Sequence, residues 1–156
     1  MTTEDLTRVL DEAGVRYELL SHARTESAVA EAEALGLAPA DVAKTLVVAT
    51  REGYVRAVLP ASERIDLHKL REVTGGGKKD VHLASEEDLA RDYPEFDLGA
   101  VPPVGGGRPD PVVVDRRLAE RDSIVLEAGS HEHSARVPTG DLLHVTGAEV
   151  ADICVD

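Results

Sequence analysis

The segment from Thr45 to Pro60 constrains this chain more than any other: two apolar runs, Thr45–Thr50 and Tyr54–Pro60, stand either side of Glu52-Gly53. Val, Leu and Thr suit a pleated, half-buried surface, and an acidic residue followed by glycine is turn chemistry, so the segment predicts an antiparallel hairpin. Lys44 sits against the first run, in Ala43-Lys44-Thr45-Leu46-Val47-Val48. Alternation places Lys44 on one sheet face with Leu46 and Val48, and Thr45 and Val47 on the other. A cation there either snorkels to a solvated strand end or meets an anion.

Helix and strand patterns alternate through the rest of the chain, with no linker long enough to divide it. Leu6, Val9, Leu10 and Ala13 form one stripe of a helix over Thr3–Ala13, stopped by Gly14. A short strand is expected over Tyr17–Leu20, a helix over about Ser27–Leu35 closed by Gly36, and a short turn capped by Asp41. Asp66–Val73 reads as a short helix, and Ser85 with Asp88 makes a capping box for another that reaches about Asp92. Pro94–Pro111, rich in Gly and Pro, reads as loop. Val112–Asp115 and Ser123–Leu126 read as buried strands, with Ala135-Arg136-Val137 returning across a turn at Gly129, and Thr139–Leu143 as a capped turn or short helix.

At 156 residues the chain suits one domain spanning 1–156. No stretch is apolar for long enough to span a bilayer, and Met1-Thr2-Thr3-Glu4-Asp5 carries no signal-peptide pattern, so a soluble, cytoplasmic protein is expected. The single cysteine, Cys154, excludes an internal disulfide and reads as a packing residue. A formal net charge of −13 argues against a general nucleic-acid binder, and neither DNA nor membrane is an expected partner. A local site for one nucleotide end remains compatible with that charge.

Three further places carry chemistry. Gly99-Ala100-Val101-Pro102-Pro103-Val104-Gly105 is a stiff loop whose glycines let backbone approach a ligand while its prolines hold the shape; an ordinary surface turn is the alternative. Gly129-Ser130-His131-Glu132-His133 joins a flexible backbone point, a hydroxyl and imidazoles. In a strand His131 and His133 would face one side, as metal ligands could, but no third ligand accompanies them and neither metal nor cofactor is expected. Gly75-Gly76-Gly77-Lys78-Lys79 fails the phosphate-loop spacing and lacks the Ser or Thr after its lysine; it reads as a mobile loop with a local basic spot.

In order, His22 and Thr25 before an Ala-rich helix, Val42-Ala43-Lys44-Thr45-Leu46-Val47, the Gly99–Gly105 loop and Ala128-Gly129-Ser130-His131 resemble the YbaK/prolyl-tRNA synthetase editing-domain family of aminoacyl-tRNA deacylases. The resemblance spans about Leu6 to Ile153. It implies an α+β fold, a mostly antiparallel mixed sheet curled into a partial barrel with helices packed outside. It also implies hydrolysis of the ester that joins a wrongly attached small amino acid to the 3′ ribose of a tRNA. In that reading Lys44 contacts the carbonyl or the terminal phosphate. Gly129 offers backbone to the water or ribose, and His131 orients the substrate, with Thr45 and Ser130 beside them. The Gly99–Gly105 loop, through Gly99, Val101, Pro102, Pro103, Val104 and Gly105, walls the amino-acid pocket, and His22 and Thr25 border the adenosine side.

Selection would follow a second sieve, in which a small pocket admits small side chains and excludes larger cognate ones. Val104 stands where some relatives carry a bulky aromatic. The acidic chain is expected to grip mainly the acceptor end of a mischarged aminoacyl-tRNA, or to use a synthetase or elongation factor as partner. Two other readings stay open: a non-catalytic binding or regulatory module of the same fold, and a metal-dependent hydrolase using His131 and His133.

Overall fold

The predicted hairpin lies at the middle of an eight-stranded mixed sheet. The computed structural model describes residues 2–74 and 81–156, so the Gly75–Lys79 segment lies outside the described residues. Strand β2 (Val42–Thr50) pairs antiparallel with β3 (Gly53–Pro60), in a register running from Ala43↔Pro60 to Thr50↔Gly53. Strands β6 (Ser123–Ser130) and β7 (His133–Pro138) form a second hairpin, whose outer side takes β1 (Glu18–Ser21). On the far side of β3, β5 (Val112–Asp115) and then β8 (Glu149–Ala151) add in parallel. A two-residue strand, β4 (His82–Leu83), pairs antiparallel with β2. The order β1-β7-β6-β2-β3-β5-β8 ends at two free edges, so the partial barrel does not close.

Helices lie on both faces. Alternation along β2 sends Ala43 into one cluster and Val42 into another. The Ala43 side packs Leu6 and Leu10 of α1 (Thr2–Glu12), Leu118 of α5 (Arg116–Ala119) and Leu142 of α6 (Thr139–Thr146), all fully buried. The Val42 side packs Ala28 and Ala32 of α2 (Ala28–Ala34), and Leu70 of α3 (Leu67–Thr74) meets Val48 further along. Local chemistry sets the helix ends. Ser27 Oγ accepts from the Ala30 N–H, and α4 (Glu86–Asp92) begins on the expected reciprocal box of Ser85 and Asp88. α6 extends past the expected end at Leu143 to Thr146 and stops at Gly147, with φ +62°.

Two features matter for the site, the first a departure from the sequence reading. β6 does not turn at Gly129; it runs on to Ser130, the turn falls at residues 131–132, and Gly129 sits in a register shift between Glu127 and Ser130. Its φ of +92° is the conformation that lets one extra residue bulge out of a ladder. Secondly, β2 and β6 are neighbours only at Val42↔Val125 and Ala43↔Leu126. Beyond Ala43 they part, and the irregular segment after α4 packs there, with Tyr93, Phe96 and Val101 against Val47.

Candidate active site

Lys44 stands where β2 leaves β6. Its side chain is half-buried, and its ammonium donates to the Ala61 carbonyl at 3.4 Å, with no carboxylate in ion-pair range among the described residues. Burial lowers its pKa, opposed by Cys154 and Glu63. Cys154 itself is buried, and burial pushes its thiol up to about 12, which suits a packing residue rather than a nucleophile.

Facing this edge of β2 is the loop that begins at Asp97. Gly99 has φ +82°, and a Cβ placed there would meet His131 Cε1 at 3.7 Å, an ordinary contact, so backbone conformation rather than space calls for glycine. The loop is tied to the bulged hairpin at both polar groups of Asp97: its N–H donates to the Gly129 carbonyl at 3.0 Å and its Oδ2 accepts from the His131 N–H at 3.2 Å. The Gly129 carbonyl therefore already holds the neighbouring loop. His131 is 2% exposed; its Nε2 donates to the Leu98 carbonyl at 2.5 Å, and its Nδ1 lies 3.1 Å from Glu127 Oε2.

Behind the loop, Arg56 is 1% exposed and donates to the carbonyls of Pro102 (3.0 Å), Gly105 (2.8 Å) and Arg108 (3.1 Å), with its guanidinium 5.0 Å from the centre of the Tyr93 ring. This cation shapes the Gly-Pro segment from beneath. On the other side, the His22 and Thr25 N–H groups donate to the Glu132 and His131 carbonyls at 3.0 Å each. His22 Nε2 lies 2.8 Å from Ser134 Oγ, which donates to the buried Glu31 on α2. Desolvation raises Glu31 to about 7 against the lowering effect of Ser134. Glu127 is raised further, to about 8, by burial first and then by repulsion from Glu31, Asp97 and Glu26.

Between the parted strands lies a cavity of about 270 Å³, lined among others by Lys44, Thr45, Val47, Gly99, Val101 and Glu127. The fold thus brings the Lys44 strand and the Gly99 loop onto one cavity, with the Gly129–His131 turn and the His22–Thr25 segment packed directly behind Gly99 and Glu127. Pro102, Pro103, Val104 and Gly105 are not part of its wall. Pro102 and Gly105 are held by Arg56, and Val104 packs against the core cluster. His131 and His133 engage different partners, His133 Nδ1 lying 3.1 Å from Ser130 Oγ, and no group of three metal-ligating side chains occurs among the described residues. A larger hollow of about 570 Å³ beside the Glu52-Gly53 turn contains none of the motif residues.

The motifs do not point to Glu127, Glu31, Asp97 or Arg56. Arg56 and Glu127 leave a signal, each a charge inside an apolar strand, in Val55-Arg56-Ala57 and Leu126-Glu127-Ala128. Asp97 leaves none, because its role depends wholly on what lies across the cleft.

The Aminoacyl-tRNA editing domain family matches residues 22–145. The chain belongs to that family. It is 26% identical over 150 residues to an Enterococcus faecalis protein named Cys-tRNA(Pro)/Cys-tRNA(Cys) deacylase EbsC, covering 94% of this chain and 90% of the relative. To the Escherichia coli protein named multifunctional Ser/Thr-tRNA deacylase ProXp-y it is 27% identical over 157 residues, covering 97% and 92%. A crystal structure described as a trans-editing enzyme for prolyl tRNA synthetase superposes with TM-score 0.87 and 26% identity, over 99% of this chain and 98% of the other. The editing-domain fold and the aminoacyl-tRNA deacylase class expected from the motifs are both supported by these relatives. No helix among the described residues is long and apolar enough to cross a membrane.

Proposed function

We propose that this editing-domain protein acts in trans, in the cytoplasm, on tRNA mischarged with a small amino acid, and hydrolyses the ester at the acceptor end. One observation carries the reading: Lys44 and the Gly99 loop, 55 positions apart in sequence, line one small cavity with the Gly129–His131 turn locked behind it through Asp97. An aminoacyl ester is already activated, so the protein has to place a water and stabilise the oxyanion that forms. Water adds to the carbonyl, the bond to the ribose oxygen breaks, and that oxygen leaves with a proton as the amino acid is released. Lys44, with few partners of its own, supplies positive charge to the carbonyl or the terminal phosphate, and His131 and the Gly99 backbone fix the ester against it.

The cavity of about 270 Å³ has room for an esterified amino acid, and a second sieve would act through the side chains that line it. Val101 rather than Val104 lines it, so Val101 is the loop side chain that sets its size. With a net charge of −13, the protein grips the acceptor end, and a synthetase or elongation factor holding the tRNA body would supply the remaining affinity. The test is deacylation of tRNAs charged with alanine, serine, threonine, cysteine or proline, by wild type and Lys44→Ala, with a chelator control. Hydrolysis of a small aminoacyl ester that is lost with Lys44 and indifferent to chelator is expected. No hydrolysis across the panel would turn the reading toward a binding module of the same fold, and chelator sensitivity toward metal-dependent hydrolysis.

A further inference from the structure

Every residue in the wall of the 270 Å³ cavity is neutral except two, Lys44 and Glu127. Lys44 has a role in the reading above; Glu127 has none. It projects from β6, is 8% exposed, and its Oε2 has no hydrogen-bond partner, although it lies 3.1 Å from His131 Nδ1. His131 Nδ1 is equally without a hydrogen bond, so the two groups lie close without being bonded to each other. Burial on a strand whose neighbours Val125, Leu126 and Ala128 are apolar holds Glu127 protonated up to about pH 8, so the group ionises readily only when a cation comes beside it, and an aliphatic side chain would be the stable choice there. Its surroundings add to the negative potential, because Glu31 on α2, Asp97 on the facing loop and Glu26 ahead of α2 all repel its charge. A site so built favours a cation that arrives with the ligand.

An aminoacyl ester brings one. Its ribose, carbonyl and phosphate present oxygens, which suit Lys44, whereas its free α-amino group is its sole cationic donor. Resting on the deacylase reading, we propose that Glu127 is a substrate-binding residue that receives the α-ammonium group of the esterified amino acid. The cavity then reads both ends of the reacting unit, Lys44 at the oxygen end and Glu127 at the nitrogen end. Esters whose amino group is capped as an amide carry no cation for Glu127 and offer it at most one neutral N–H donor. The site thereby selects aminoacyl over N-acylated or peptidyl esters, which a sieve based on side-chain size alone would not do.

The test compares the charged tRNA panel with the same tRNAs after N-acetylation, using wild type and Glu127→Gln, which keeps the shape and removes the charge. Wild type is expected to prefer the free amine, and Glu127→Gln to reduce that preference at least about tenfold, chiefly through KM. An unchanged preference in Glu127→Gln overturns the proposal, and so does an equal loss on both substrate forms, which would mark a positioning role through His131. Wild type alone supplies a second test that needs no variant. A non-hydrolysable 3′-amide analogue of aminoacyl-adenosine should compete about tenfold better than its des-amino counterpart, and equal competition overturns the proposal. Failure of wild type to hydrolyse any free-amine substrate would instead sink the deacylase reading itself, a result distinct from each of these.

Discussion

Lys44 and Arg56 occupy adjoining strands of one hairpin, each a cation inside an apolar run, and they have opposite fates. Arg56 is fully buried, bonded to three carbonyls and set against an aromatic ring. Lys44 is only partly buried and has one long contact to a carbonyl. The carboxylates repeat the contrast. Asp115 is buried and accepts from the Arg117 and Ile153 N–H groups at 3.0 Å each, while Glu127 has an oxygen with no hydrogen bond. A buried charge turned into the protein holds the fold together even where one atom stays unpaired, as Arg56 Nε does. One on the wall of a cavity, as Lys44 and Glu127 are, is placed to meet a ligand.

The contrast breaks most visibly at Arg56. Arg56→Ala leaves three carbonyls without their donor and empties the space beside Tyr93, and is expected to destabilise the protein by about 3–5 kcal/mol in urea unfolding. A loss below about 1 kcal/mol would remove the structural assignment. Lys44→Ala should do the reverse: single-turnover deacylation falls about a hundredfold or more, while stability stays within about 1 kcal/mol of wild type. Large destabilisation without a matching loss of rate would exchange the two roles.

Next in size is the pH dependence of stability. Glu31 and Glu127 are raised to about 7 and about 8, so between the ordinary carboxylate range and those values the folded protein binds protons that the unfolded chain has released. Their contribution is complete below about pH 4.5 and is lost as pH rises toward 8. Against wild type, Glu127→Gln should lose about 1–3 kcal/mol less stability between pH 5.5 and pH 8.5 by thermal or urea unfolding. Parallel pH profiles would show that Glu127 is not desolvated as described, with Glu31, Asp97, Glu26 and His131 around it. The smallest effect is expected at Asp97, whose carboxylate and amide tie the two motif loops. Asp97→Ala removes the bond from the His131 N–H, with a cost of about 1 kcal/mol in stability and a several-fold fall in deacylation. A rate equal to wild type would show that the loops hold their positions without it.

Much of this was legible in the chain because it is local. Period-2 alternation and Glu52-Gly53 specify the β2–β3 hairpin, Ser27, Ser85 and Asp88 specify helix starts, and the motif order specifies the family. Local pattern also misplaced the turn of the second hairpin, since Gly129 signals a bulge as readily as a turn. The wall of the site was legible only in part. Gly99 and Val101 line the cavity, but Val104, in the same loop, faces the core, and a proline-rich run has no periodicity from which to read that difference.

What the chain could not specify by itself is which strands become neighbours. The parallel pairing of β2 with β6 joins residues more than 80 positions apart and lasts only two pairs before the strands separate. That separation makes the cavity, puts Lys44 and Glu127 on its wall, and lets Asp97 bridge the gap behind them. Hydrogen-bond period and capping are properties of neighbouring residues, whereas strand order is decided by how all the apolar faces are buried at once. The elements are thus read along the sequence, and the site exists only where the sheet comes apart.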